Sequence, residues 1–162
     1  MDIGLISESL IDAHNRALIA ALQRDARLSY SALAREVGLS QPAVAERVRR
    51  LEEAGILQRY GAVVSRAKVG LPITAFLRLS CAGEKYRAVA AMSQDLPQVL
   101  ECHHVTGEDC FFLKLAASTL GDLEQVVERF RAHGRAVVTI ALSSVVEDKP
   151  VTVVGAARGK ER

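Results

Sequence analysis

The spacing of apolar residues changes character at Gly55, and that change limits the chain to a helical part followed by a mixed part of strands and helices. Before Gly55, apolar residues recur every three or four positions. Ile11, Leu18, Ile19 and Leu22 fall on one helical face, with Asp12 placed to cap it. Asp25-Ala26-Arg27 interrupts the pattern. Ser31 is then placed to cap a short helix whose Leu33, Ala34 and Val37 point inward. Gly38 suits the left-handed conformation common just past a helix end. Ser40 and Pro42 open a third helix, Ser40 as its cap and Pro42 in the first turn, where a missing N–H costs nothing. Val44, Val48 and Leu51 form its buried stripe.

Beyond Gly55, Ile56, Gln58 and Tyr60 through Val64 read as extended, and Gly70-Leu71-Pro72 marks a boundary. Residues 73–81 alternate as a strand, with Ile73, Ala75, Leu77 and Leu79 on one face. A helix over 84–95 ends at Leu96-Pro97. Strands over 99–106 and 110–117 flank a turn at Gly107-Glu108-Asp109. A helix over 119–132 carries Leu120, Leu123, Val127 and Phe130 on one face and stops at Gly134; residues 136–144 form a last strand. The tail from Glu147 adds an edge strand at Val151–Val154 and frays from Ala156 to Arg162. The order β-α-β-β-α-β is ferredoxin-like. The expected class is therefore α+β: a helix-turn-helix, winged-helix-like domain over 1–57, an extended linker over 58–70, a ferredoxin-like domain over 71–150 and a tail over 151–162. Phe111, Leu113 and Leu115 alternate with Phe112 and Ala116, and Val137 to Leu142 is nearly unbroken, so these strands are apolar on both faces. Two helices cover only one face of a four-stranded sheet, and a second copy of the chain is the simplest cover for the other.

Charge is concentrated in the first half. Residues 41–68 hold Arg47, Arg49, Arg50, Arg59, Arg66 and Lys68 against Glu46, Glu52 and Glu53, whereas residues 71–162 carry eleven charges of each sign. A local basic patch is what a polyanion requires. On the third helix the face opposite Val44 carries Pro42, Glu46, Arg49, Arg50 and Glu53, with Gln41 and Arg47 on the flanks and Ser40 at the tip. A helix that is apolar on one side and basic on the other, after a tight Gly38-Leu39-Ser40 turn, suits the major groove of double-stranded DNA. Ser40, Gln41 and Glu46 are the candidate base readers, Gln pairing with adenine and Glu accepting from cytosine. Arg47, Arg49 and Arg50 are candidates for phosphates or guanines.

These residues resemble the Lrp/AsnC family of leucine-responsive, or feast/famine, transcription regulators. The run from Asp25 to Ser40 is similar to that family's first helices and turn, and Val44 to Leu57 to its recognition helix and exit. Val99 to Cys110 is similar to its central hairpin. Asn15 stands where an acidic residue is usual and reads as a capping variation. The resemblance implies a C-terminal effector-sensing domain that dimerises through its sheet, dimers that often gather into octamers, and an amino acid bound between dimers.

The family places its effector at the turn formed by Thr106, Gly107, Glu108 and Asp109. The chemistry is suitable: Gly107 admits a ligand to the backbone, turn N–H groups hold a carboxylate, and Asp109 holds an ammonium. Thr139, Ser143 and Ser144 are candidates to complete that pocket from the neighbouring strand or a second chain. No other cofactor is expected. Cys102, His104 and Cys110 offer an alternative, a metal-responsive regulator, although alternation turns His103 away from them and the spacing matches no standard site. An enzyme built on the ferredoxin-like domain is the remaining alternative, but no nucleophile-base-acid set, phosphate loop or HExxH motif occurs, and no residue reads as catalytic. The first residues lack the basic and apolar segments of a signal peptide. The longest apolar runs fall far short of the ~20 residues of a membrane helix. Three cysteines, an odd number with no CxxC, argue against a disulfide framework. A reducing, cytoplasmic location is expected.

Overall fold

In the computed structural model, which describes residues 10–153, Asp12 caps α1 (Ala13–Arg24) by accepting a hydrogen bond from the Asn15 amide at 2.7 Å. The cap of α2 (Tyr30–Val37) is Ser29 rather than the expected Ser31: its Oγ accepts from the Ala32 amide at 3.2 Å. Ser29 has the extended backbone a cap needs, whereas Ser31 lies inside the first turn. Gly38 follows in the left-handed region at φ 70°, and Ser40 caps α3 (Gln41–Glu53). Leu18, Leu22, Leu33, Val44 and Val48 interlock as the core of this bundle. Among the described residues of this unit, 10–62 together with 146–153, no strand forms, so residues 58–64 build no hydrogen-bonded wing. Val151 does not extend a sheet edge. Its backbone N–H and C=O bond to the side-chain amide of Gln23 on α1, at 2.8 and 3.0 Å, because that amide offers the same donor and acceptor as a strand edge. Val154 and residues 156–162 of the expected tail lie outside the described residues.

Residues 63–145 form the second unit. Its elements are β1 (Ile73–Ser80), α4 (Tyr86–Asp95), β2 (Val99–His104), β3 (Phe111–Ala117), α5 (Leu120–Arg131) and β4 (Arg135–Ile140). The sheet order is β2-β3-β1-β4 with every pairing antiparallel, as the ferredoxin-like arrangement requires. Ala75, Leu77 and Leu79 of β1 and Phe111, Leu113 and Leu115 of β3 face the two helices. From α5, Leu123, Val126, Val127 and Phe130 fill the same core. Leu120 does not: it is 63% exposed at the first position of α5. β4 stops at Ile140, four residues short of expectation. Ala141 still donates to the Thr74 carbonyl at 2.9 Å, but Pro72 precedes β1 and leaves nothing further for β4 to pair with.

Gly134 joins α5 to β4 where its backbone lies close against the end of β1. A Cβ there would lie 2.2 Å from the Ser80 carbonyl oxygen and 2.9 Å from Cys81 Cβ. Gly134→Ala is expected to destabilise the protein by about 1–3 kcal/mol through overpacking. Urea unfolding checks it, the midpoint falling at an unchanged m value.

Candidate functional site

Polar groups gather on the exposed side of α3 and at the β2–β3 turn. At the tip of α3, Ser40, Gln41 and Pro42 are exposed. Ser40 is partly committed, since its Oγ lies 3.4 Å from the Ala43 amide as the helix cap. Glu46 accepts from Arg49 at 2.8 and 3.0 Å and from Arg50 at 2.8 Å, and Arg49 also bonds Glu53. Hydrogen bonds from Arg49 and then Arg50 hold the Glu46 carboxyl down at about 2. A carboxyl depressed from 4.5 contributes its interaction above that value and loses it only as pH falls toward about 2. Near neutral pH Arg49 and Arg50 are therefore partly neutralised within the helix, and any incoming anion has to compete with Glu46 for them.

Arg47 belongs to a different group. Its Nη1 donates to Asp12 at 2.6 Å and to the Asn15 side-chain oxygen at 2.9 Å. Asn15 is 3% exposed, and its Nδ2 donates to the Leu10 carbonyl at 2.9 Å. Burial pushes the Asp12 carboxyl up, but the Asn15 amide and the Arg47 guanidinium pull it further down, to a net position below the usual carboxylate range. Arg47 is thus engaged as a strut from α3 to the start of α1. Asn15 is more than a capping variation: it is the buried polar node that receives this strut.

The β2–β3 turn places Thr106, Gly107 and Glu108 in solvent, with Gly107 at φ 115°. Val105 donates to the Cys110 carbonyl at 3.0 Å and Cys110 to the Leu79 carbonyl at 2.8 Å, which closes the base of the turn. Asp109 lies 3.7 Å from the guanidinium of Arg78 on β1. Arg78 went unnoticed in the sequence, where its signal is a lone charge inside the apolar run of β1. Thr139, Ser143 and Ser144 are not near the turn within one chain. Thr139 pairs with Phe76, three positions along β1 from Leu79, and Ser143 and Ser144 follow beyond the end of β4. Since β3 and β4 lie on opposite sides of β1, the expected neighbouring-strand contribution does not arise.

Cys102 packs against the core, and the His104 ring lies 4.8 Å from Tyr86 and 5.2 Å from Phe111 in an aromatic cluster. The Cys110 sulfur is bonded to the backbone of Cys81. Among the described residues no three His, Cys, Asp or Glu side chains are grouped to hold a metal, which leaves the metal-responsive alternative without a ligand set.

Two known domains match the chain: an AsnC-type helix-turn-helix domain over residues 11–52 and an Lrp/AsnC ligand binding domain over residues 74–151. The chain belongs to the Lrp/AsnC family. It is a DNA-binding transcription regulator of that type rather than an enzyme. The transcriptional regulator LrpC of Bacillus subtilis is 30% identical over 135 residues, covering 83% of this chain and 94% of LrpC. The structure of LrpC superposes with a TM-score of 0.81 over 84% of this chain and 97% of that one. A second similar structure is the transcriptional regulator NMB0573 of Neisseria meningitidis in complex with L-Met. It has a TM-score of 0.82 at 26% identity, over 87% of this chain and 96% of that one. No helix among the described residues is long and apolar enough to cross a membrane.

Proposed function

We propose that α3 reads operator DNA while an amino acid, bound at the 106–109 turn between subunits of a homo-oligomer, sets how the protein assembles on it. Ser40, Gln41 and Glu46 at the front of α3 meet base edges, with Pro42 packed against the groove wall, and Arg49 and Arg50 hold phosphates or guanines. Residues 71–150 bind the effector and carry the subunit contact, residues 58–70 link them to the reading domain over 1–57, and a DNA target puts the protein in the cytoplasm. The observation that carries the effector assignment is the Arg78–Asp109 pair beside the open Gly107 turn. A free amino acid has one cation and one anion a few ångströms apart, and this pair supplies the complement of both. The Neisseria relative crystallised with L-methionine supports the same class of ligand. Thr139, Ser143 and Ser144 then belong to such a site only as a second subunit's contribution.

The DNA assignment is tested by separating two arginines that the sequence groups together. Arg50→Ala removes a phosphate contact: DNA affinity falls for all sequences and the slope of log K against log salt flattens by about one unit. Arg47→Ala leaves the buried Asn15 oxygen without its donor, and stability falls by about 1–3 kcal/mol. The salt slope stays as in the wild type. Gel shifts on the region upstream of the protein's own gene, over a salt series, together with thermal melts, distinguish the two. Unchanged affinity and slope in Arg50→Ala would remove α3 from the phosphate backbone.

A further inference from the structure

We propose that Cys81 and Cys110 are a thiol switch, joined by a reversible disulfide when the protein meets a hydroperoxide. The two residues lie 29 positions apart in the sequence and meet where β1 ends and β3 begins. The Cys110 thiol donates to the Cys81 carbonyl at 3.1 Å, and the Cys81 amide donates to the Cys110 sulfur at 3.4 Å. The sulfur of Cys110 therefore rests on the backbone of Cys81, which makes the two residues immediate neighbours across the sheet; a disulfide requires Cα atoms about 4.4–6.8 Å apart. Both side chains are half-buried against the helix side of the sheet, reachable by a molecule as small as a peroxide.

The surroundings divide the labour between the two. The Cys81 amide donates to the Cys110 sulfur and, with the Tyr86 hydroxyl at the start of α4 nearby, holds that thiol below its usual range against the opposing burial and the nearby Asp109 charge. Burial, followed by the neighbouring Cys110, pushes the Cys81 thiol up. Cys110 is thus the attacking thiolate and Cys81 the resolving thiol. In the first step the Cys110 sulfur bonds one peroxide oxygen as the O–O bond breaks. The other oxygen leaves as water once protonated, or as an alcohol from an organic hydroperoxide, and Cys110 becomes a sulfenic acid. In the second, the Cys81 sulfur attacks the Cys110 sulfur, the S–O bond breaks, and the hydroxyl takes the Cys81 proton and departs as water. Two thiols are oxidised and one peroxide is reduced. The new bond pins the base of the 106–109 turn, because Asp109 is the residue next to Cys110.

The test uses the full chain and hydrogen peroxide, independent of any effector or operator. After treatment, alkylation and digestion without reductant, free thiols fall from three to one per chain. A Cys81–Cys110 cross-linked peptide is found by mass spectrometry, and dithiothreitol reverses it. Cys81→Ser traps Cys110 as a sulfenic acid that dimedone labels, Cys110→Ser gives neither product, and Cys102→Ser, placed opposite Leu113 on β2, reacts as the wild type does. Three free thiols after treatment, a cross-link through Cys102, or a link only between chains would overturn the assignment.

Discussion

Phe112→Glu is expected to leave the protein monomeric at about 10 μM, by breaking the proposed subunit contact while the chain stays folded. Phe112 stands on the sheet face away from α4 and α5, 37% exposed, with its ring 5.8 Å from that of Phe76. Val137 and Thr139 of β4 occupy the same face, opposite Arg78 and Phe76 of β1. Around Phe112 this surface is open in the single chain, and a two-fold axis through it would bring Phe76 and Phe112 of each subunit against their counterparts. In such an interface every substitution occurs twice. Each buried, unpaired carboxylate costs several kcal/mol, so the dissociation constant rises by at least about a thousandfold. Phe112 is already partly solvated in the single chain, so the melting temperature of the subunit itself changes little. Affinity for a two-half-site operator falls together with the oligomer, because a monomer presents one α3 instead of two. Light scattering and gel shifts on the same samples check both effects, with Phe112→Tyr as the variant that keeps the interface. If Phe112→Glu remains a dimer, the subunit contact lies elsewhere, first at the β4 edge where Ile140, Leu142 and Val145 are exposed.

The order of elements was legible because it rests on local pattern. The 3.6 period before Gly55 and the alternation after it each follow from which side of one element is buried, and both survive without knowledge of neighbours. The misplacements share a different cause. Whether Ser29 or Ser31 caps α2 depends on which of them has extended backbone. The end of β4 depends on where its partner β1 begins, and the exposure of Leu120 depends on how far its neighbours cover the first turn of α5. Arg47 reads as one more arginine of a basic helix until Asp12 and Asn15, more than thirty positions earlier, are brought beside it. Arg78 carries no helical or turn signal at all. Its meaning comes from the antiparallel register that sets the end of β1 against the start of β3 and so brings Asp109 within reach. Local pattern gave the scaffold, while the charged partners at both sites were settled by contacts distant in sequence.

Arg78→Ala and Asp109→Ala are each expected to lower amino-acid affinity by about tenfold to a hundredfold. A charge-assisted hydrogen bond is worth about 1.5–3 kcal/mol, and a bound amino acid makes one through its carboxylate to Arg78 and one through its ammonium to Asp109. The two groups face each other at 3.7 Å, a long and half-solvated pair whose loss changes stability by less than about 1 kcal/mol. The variants therefore stay folded, and calorimetry with the twenty amino acids reads binding alone. Wild-type affinity in both variants would place the ligand away from the turn, and no binding of any amino acid at millimolar concentration to the wild type would exclude a free amino acid as effector. The same titration on Phe112→Glu decides where the hydroxyls come from. Ser143 and Ser144 follow the end of β4, and Thr139 pairs with Phe76 rather than with the residues of β1 beside the turn. A site completed by a second subunit loses its ligand when the protein is made monomeric, whereas a monomer that still binds contains the whole site and leaves those three hydroxyls without a part in it. A ligand that bridges subunits also shifts their assembly, by no more than its preference for the assembled state. Adding it should raise the mass seen by light scattering in the wild type and have no such effect in Asp109→Ala.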